Sequence, residues 1–235
     1  MSAPRLGAWM DRLAHDLRGP LTPMLTAVYL LRDARTSAAQ RDELLAMMER
    51  QIQRLGGMIE EVSDLGRAEK GRLLGRVEPI DIELLVADVA TRLQATPPEV
   101  SFDPGARGVH VDGDVLRIGQ LFISLLGLQF SRRHPMPVRA RIERAGDQLR
   151  MVCTVHCRDA DALPVPSLLS LPHPEPQDDT LGLGLMIASA IAEAHGGRLR
   201  GDAAGTDAIE LVLELPVHDA AGARTDVPQA TAGPA

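Results

Sequence analysis

The residues of this chain best suited to chemistry are His15, Asp16 and Arg18, which lie close together near the start of the chain. They fall in a helical pattern in which Leu13 and Leu17 share one face, so His15 lies roughly opposite that apolar stripe. Arg18 shares the face of His15, because helical residues three apart are neighbours, and Asp16 follows His15 directly. An outward imidazole beside a carboxylate can serve as a nucleophile or a base. Taken alone, the pattern also fits an ordinary surface histidine.

The longer string His-Asp-Leu-Arg-Gly-Pro-Leu, which begins at His15, is more specific. It resembles the H-box of two-component sensor histidine kinases, and the resemblance extends with decreasing fidelity to about Leu215. It implies that His15 accepts a phosphoryl group, that Asp16 hydrogen bonds to the ring or acts as the base, and that Arg18 neutralises phosphate charge. Many family members have Thr or Asn at the position of Gly19, where it orients the water that dephosphorylates a receiver. Gly19 therefore predicts weak or absent phosphatase activity.

The stretch that carries this string is predicted to form a helical hairpin. The first helix spans about residues 6–33, with a bend after His15 at Pro20 and Pro23. The second spans about residues 38–67, and its apolar residues step by three and four as in a coiled coil: Leu45, Met48, Ile52, Leu55, Ile59 and Val62. Because a lone hairpin cannot bury both apolar stripes, the pattern predicts a homodimeric four-helix bundle.

A different pattern begins after the hairpin and predicts an α+β sandwich. Helices are expected near residues 82–93, 115–130 and 183–195, and a strand hairpin is expected around Gly146. The predicted domain organisation is a dimerisation and phosphotransfer hairpin (1–68), a linker (69–77), an ATPase-like α+β domain (78–217) and a disordered tail (218–235).

The order of elements in this second domain resembles the ATP-binding domain of histidine kinases and related GHKL ATPases. The segment from Asp114 to Leu121 resembles the start of the helix that carries the family's magnesium-binding Asn. Leu128 stands at the position of that Asn, and leucine has no oxygen to offer a hard cation. Ser124 stands where the family often has another Asn, and a shift of one residue would bring in Gln129 but would break the match.

Two further motifs of the nucleotide site are unevenly preserved. Asp159 resembles the aspartate that recognises adenine, but Asp161 and Leu163 replace the two glycines that follow it in the family. Gly182 and Gly184 resemble the Gly-rich box at a helix start, whose backbone N–H groups suit phosphates. The resemblance thus assigns Asp159, Gly182 and Gly184 to nucleotide binding, should ATP bind.

Three functions follow from this uneven preservation. The favoured prediction is a two-component phosphorelay protein, a histidine phosphotransferase derived from a kinase, which carries a phosphoryl group on His15 without ATP or Mg²⁺. Its partners would be response-regulator receiver domains, including one on an upstream hybrid kinase. The alternative is an ATP-dependent sensor histidine kinase core that phosphorylates its own His15. The third is a non-catalytic dimeric scaffold.

Composition excludes several other classes. The net charge of -7 and the aromatic content of 2% argue against a nucleic-acid binder. The absence of an apolar run of about 20 residues predicts no membrane segment, and the absence of a signal-peptide pattern predicts a cytoplasmic protein. Because 14 residues precede His15, we expect no sensor domain in this chain. Cys153 and Cys157 alternate with other residues as on a buried strand face, and no metal site is predicted.

Overall fold

The computed structural model describes residues 3–93, 95–130, 135–157, 165–173 and 180–218, with side chains from residue 11 onward. Its contacts divide the chain into two compact units. The first comprises Met1–Leu73 and Pro166–Ala190, and the second comprises Leu74–Val165 and Ile191–Ala235. The predicted domain boundaries stay a prediction, and the tail after residue 218 lies outside the described residues.

The described part of residues 1–73 in the first unit contains three helices rather than the predicted two. They are α1 (Ala3–Arg18), α2 (Leu21–Leu31) and α3 (Ala38–Glu69). The prediction of one bent first helix is wrong, because the helix is interrupted between Arg18, the last residue of α1, and Leu21, the first residue of α2. Pro20 has no N–H for the carbonyl four residues earlier, so α1 ends before it. Pro23 lies in the first turn of α2, where an N–H has no helical partner, and is tolerated there.

Helix α3 is continuous and begins at a capping box. The Ser37 hydroxyl accepts from the Gln40 backbone N–H at 3.3 Å, and the Gln40 side chain accepts from the Ser37 N–H at 3.0 Å. The helix includes Glu69, the first residue of the predicted linker. The two consecutive glycines at 56 and 57 do not interrupt it, because a glycine weakens a helix by only about 1 kcal/mol.

Several large apolar side chains of the hairpin remain exposed in the single chain. The most exposed, by the accessible fraction of the whole residue, are Leu25 at 70%, Tyr29 at 78%, Leu45 at 49%, Ile52 at 54% and Ile59 at 53%. Three of them belong to the predicted coiled-coil seam. The seam therefore presents apolar surface that a single chain leaves uncovered.

The remaining elements build a mixed sheet with helices. They are β1 (Glu78–Asp81), α4 (Ile82–Arg92), β2 (Glu99–Phe102), β3 (His110–Gly113), α5 (Val115–Leu126), β4 (Arg139–Ala145), β5 (Gln148–His156), α6 (Val165–Leu168), α7 (Gly184–Ala194), β6 (Arg198–Ala203) and β7 (Ala208–Pro216). Five strands form one sheet in the order β2-β4-β5-β7-β6, in which only β2 and β4 are parallel. Strands β1 and β3 form a separate antiparallel pair.

Strict alternation of burial along β5 and β7 confirms that one face of this sheet is the core face. Cys153 lies on that face in β5, and burial raises the pKa of its thiol to about 12. Cys157 is buried just beyond the strand. The order of elements and the mixed sheet confirm the predicted helical hairpin followed by an α+β domain. Among the described helices, none combines the length and hydropathy that crossing a bilayer requires.

A polar junction holds the start of α5 in the second unit. Asp114 caps the helix, with Oδ1 accepting from the N–H groups of Leu116 at 3.0 Å and Arg117 at 3.3 Å. Its Oδ2 accepts from the Gly75 N–H at 2.8 Å. Burial opposes ionisation of Asp114, but these three hydrogen bonds and the charge of Arg117 outweigh it and lower its pKa. The Nε2 atom of the buried His195 accepts from the Asp114 N–H at 3.0 Å.

The partners of the His195 ring fix its tautomer. Its Nδ1 lies 2.7 Å from the Ile191 carbonyl oxygen, which only accepts, so Nδ1 carries the proton and Nε2 is the acceptor. His195 follows the last residue of α7, and Gly196, whose φ of 72° is left-handed, ends the helix.

Candidate functional site

The His15 side chain stands out from α1 into solvent, as the helical pattern predicts. The His15 side chain is 87% exposed, whereas Leu13 on the opposite face is buried, with 9% of its surface exposed. The Nδ1 atom lies 3.3 Å from Asp16 Oδ1. A carboxylate only accepts, so this contact places the ring proton on Nδ1 and leaves the Nε2 lone pair facing solvent. Arg18, the third predicted residue, is exposed at the last position of α1.

Arg12 is a further member of this cluster that the sequence analysis missed. Its Nε lies 3.6 Å from Asp16 Oδ2, so the Asp16 carboxylate stands between the Arg12 guanidinium and the His15 ring. The Arg12 Nη2 also donates to the His173 carbonyl oxygen at 3.1 Å. The spacing of four between Arg12 and Asp16 on one helix was the signal that could have identified the pair.

The Gly-rich box forms a concave group of backbone N–H donors. Gly182 has φ of 75°, a left-handed conformation that glycine adopts without strain. This turn aims the N–H groups of Leu181 and Leu183 at one point, and the Glu61 Oε2 atom of α3 accepts from both at 3.2 Å. Leu183 directly precedes α7, so the positive end of that helix dipole faces the same point. Such a concavity binds anions.

The two predicted clusters are connected within the first unit. His15 contacts Asp16, Asp16 contacts Arg12, and Arg12 donates to the His173 carbonyl. The His173 N–H in turn donates to the Gly182 carbonyl oxygen at 2.9 Å. The structure therefore brings the H-box and the Gly-rich box together through side chains of the hairpin. Glu61 carried no sequence signal for its contact with Leu181, and Arg12 carried none for its contact with His173, because the partners are 120 and 161 residues apart along the chain.

The other predicted nucleotide residues are placed as follows. Asp159, Asp161 and Leu163 lie outside the described residues. Leu128 lies beyond the end of α5, which stops at Leu126, and its side chain contains no oxygen. The Gln129 side chain hydrogen bonds to both the N–H and the carbonyl of Met136, at 3.2 and 2.9 Å. Gln129 therefore does not replace the missing Asn in this arrangement.

Residues 5–71 match the His Kinase A (phospho-acceptor) domain. This match covers all but the first two residues of α1 and the whole of α2 and α3, including His15. Together with the mixed α/β domain that follows, it shows that the chain has the organisation of a two-component sensor histidine kinase core.

Curated relatives include the bacteriophytochrome of Pseudomonas aeruginosa, 30% identical over 225 residues that cover 88% of this chain and 29% of that protein. Sensor protein ChvG of Agrobacterium fabrum is 27% identical over 81% of this chain and 35% of its own length. The chain thus spans about a third of these relatives.

Solved structures of similar fold include the Acinetobacter baumannii histidine kinase AdeS, with a TM-score of 0.63 at 19% identity over 87% of this chain and 98% of that one. Histidine kinase ThkA, solved in complex with response regulator protein TrrA, has a TM-score of 0.57 at 17% identity over 91% of this chain and 62% of that one. These matches are to histidine kinases. Together with the His Kinase A match and the curated sensor proteins, they support the kinase alternative better than the favoured prediction of a phosphorelay transferase.

Proposed function

We propose that this chain is an ATP-dependent histidine kinase core that phosphorylates its own His15 and passes the phosphoryl group to a receiver aspartate of a response regulator. The observation that carries the proposal is the exposed His15 ring, with Nδ1 directed at Asp16 and Nε2 open to solvent. A surface histidine needs no such orientation, whereas a nucleophilic nitrogen needs both an accessible lone pair and a partner for its other nitrogen.

The transfer step assigns a role to each residue of the cluster. The His15 Nε2 lone pair attacks the γ-phosphorus of ATP, and the N–P bond forms as the bond to the bridging oxygen breaks and ADP leaves. Positive charge that develops on the ring is stabilised by Asp16, which holds the Nδ1 proton. Arg18, exposed on the same helix, is available to neutralise the phosphoryl oxygens. In the second step a receiver carboxylate attacks the phosphorus, the N–P bond breaks and His15 returns to the neutral ring.

ATP enters this proposal as the substrate, and its phosphates fit the Gly-rich box. The N–H groups beside Gly182 and at the start of α7 suit phosphate oxygens, and Asp159 is the proposed adenine partner. Leu128 does not suit Mg²⁺, because a hard cation requires oxygen ligands. The proposal therefore assigns no metal-binding role to this position.

The proposed active form is a homodimer with receiver domains as partners. The exposed apolar side chains of the hairpin supply the surface for a second copy, which would complete a four-helix bundle. The ThkA structure with TrrA motivates the assignment of response-regulator partners.

A second candidate function is the phosphorelay, in which His15 receives its phosphoryl group from a phosphorylated receiver on an upstream hybrid kinase. The observation that favours it is Leu128, where the resemblance requires a metal ligand. In this function the same His15 and Asp16 act, and ATP is not a substrate.

One experiment separates the two candidates. The full chain and its His15→Gln variant are incubated with γ-labelled ATP and Mg²⁺, and in parallel with a labelled phosphorylated receiver domain. The kinase proposal predicts acid-labile label from ATP on the full chain and none on the variant. If the full chain takes up label from the receiver domain but not from ATP, the phosphorelay function is established instead. If it takes up label from neither source, both candidate functions are contradicted.

A further inference from the structure

The anion-binding concavity of the Gly-rich box is occupied by a carboxylate of the chain itself. Glu61 Oε2 lies 3.2 Å from the N–H nitrogens of both Leu181 and Leu183, and one oxygen therefore accepts from two backbone donors. These donors flank Gly182, and Leu183 directly precedes α7. They are the same donors that the proposed function assigns to ATP phosphates. Two anions cannot occupy hydrogen-bonding distance of the same donors at the same time.

We infer that Glu61 competes with nucleotide phosphate for the Leu181 and Leu183 N–H groups, so that the hairpin itself lowers the nucleotide affinity of the core. The inference rests on the proposed ATP-dependent function. A carboxylate suits this role because it is an anionic acceptor like a phosphate oxygen, and hydrogen bonds to charged acceptors are about twice as strong as neutral ones. Nucleotide binding at the box then requires Glu61 to leave it.

A second contact from the hairpin holds the same segment in place. Arg12 of α1 donates to the His173 carbonyl, and the His173 N–H donates to the Gly182 carbonyl. The Gly-rich box is thus attached to α3 through Glu61 and to α1 through Arg12. Release of Glu61 frees the donors for phosphate, while the Arg12 contact, which uses a carbonyl and not an N–H, is compatible with a bound anion.

The decisive variant is Glu61→Gln, which keeps the shape of the side chain and removes its charge. Its matched control is Glu60→Gln, because Glu60 is the adjacent, exposed residue of α3 and its replacement changes the net charge of the chain equally. Affinity for a non-hydrolysable ATP analogue with Mg²⁺ is measured by calorimetry on the full chain. Circular dichroism of each variant reports whether the fold is intact.

We expect Glu61→Gln to bind the analogue about ten-fold more tightly than the unmodified chain, as a charged acceptor is exchanged for a neutral one. Glu60→Gln should bind like the unmodified chain. The inference is equally supported if Glu61→Gln binds the analogue detectably and the other two chains do not. If Glu61→Gln binds no more tightly, or if Glu60→Gln gains as much, the inference is overturned while the proposed function stands.

The two proposals fail in distinguishable ways. If none of the three chains binds the analogue, freeing the donors creates no phosphate site, and both the inference and the ATP-dependent function are overturned. If Glu61→Gln binds more tightly but labelled ATP transfers nothing to His15 in any chain, the competition stands and the kinase function fails.

Discussion

Asp114 provides a test of how the start of α5 is held in the α/β unit. Its carboxylate accepts three backbone hydrogen bonds, from Gly75, Leu116 and Arg117. Loss of a helix N-cap costs about 1 kcal/mol, and loss of the hydrogen bond from Gly75 to a charged acceptor costs about 1.5 kcal/mol more. We therefore expect Asp114→Ala to lower the free energy of unfolding by about 2.5 kcal/mol.

Asp81→Ala is the matched control, because Asp81 caps α4 of the same unit with one backbone hydrogen bond, from the Leu84 N–H at 3.1 Å. It should cost about 1 kcal/mol. The assay is urea unfolding followed by far-ultraviolet circular dichroism and by amide exchange in β5 and β7. Tryptophan and tyrosine fluorescence does not serve, because Trp9 and Tyr29, the only such residues of the chain, belong to the first unit.

The effect of Asp114 also depends on pH. Its pKa in the folded protein is lowered below the ordinary value of 3.8, so the charge stabilises the fold above that value. This contribution is lost as the pH falls through the lowered pKa. The difference between the unmodified chain and Asp114→Ala should be constant from pH 7 to about pH 5 and shrink below about pH 4. Equal costs for Asp114→Ala and Asp81→Ala, or a difference that grows in acid, would refute the reasoning.

Three further predictions concern individual residues. Asp16→Asn should slow labelling of His15 by ATP about 10²-fold or more, because the ring loses its anionic partner. An unchanged labelling rate in a rapid-quench measurement would contradict this role of Asp16. Gly19 supplies no side chain to orient water, so a phosphorylated receiver should lose its phosphate no faster with the unlabelled chain than alone; rapid loss without reverse transfer to His15 would show otherwise. Burial raises the pKa of Cys153 to about 12, so its thiol should resist maleimide at pH 8 in the folded chain and react in urea. Prompt labelling of this thiol in the folded chain would contradict its burial.

The local features of this protein follow from the sequence. The step of three and four along α3, the Ser37 cap, the outward direction of His15 and the alternating burial of β5 all depend on residues within a few positions of one another. Such patterns are visible without tertiary information, because helix and strand periodicity fixes which side chains share a face. The resemblance of the string at His15 to the H-box added the hypothesis of phosphoryl transfer to these local predictions.

Only the tertiary structure decided the features that join distant parts of the chain. Neither the parallel pairing of β2 with β4 nor the separate pairing of β1 with β3 has a periodic signal. The same is true of Glu61 on the Leu181 and Leu183 N–H groups. A carboxylate on a helix surface has the same sequence pattern whether it faces water or a backbone turn. Which of the two it meets depends on where the fold places a segment far away in the chain.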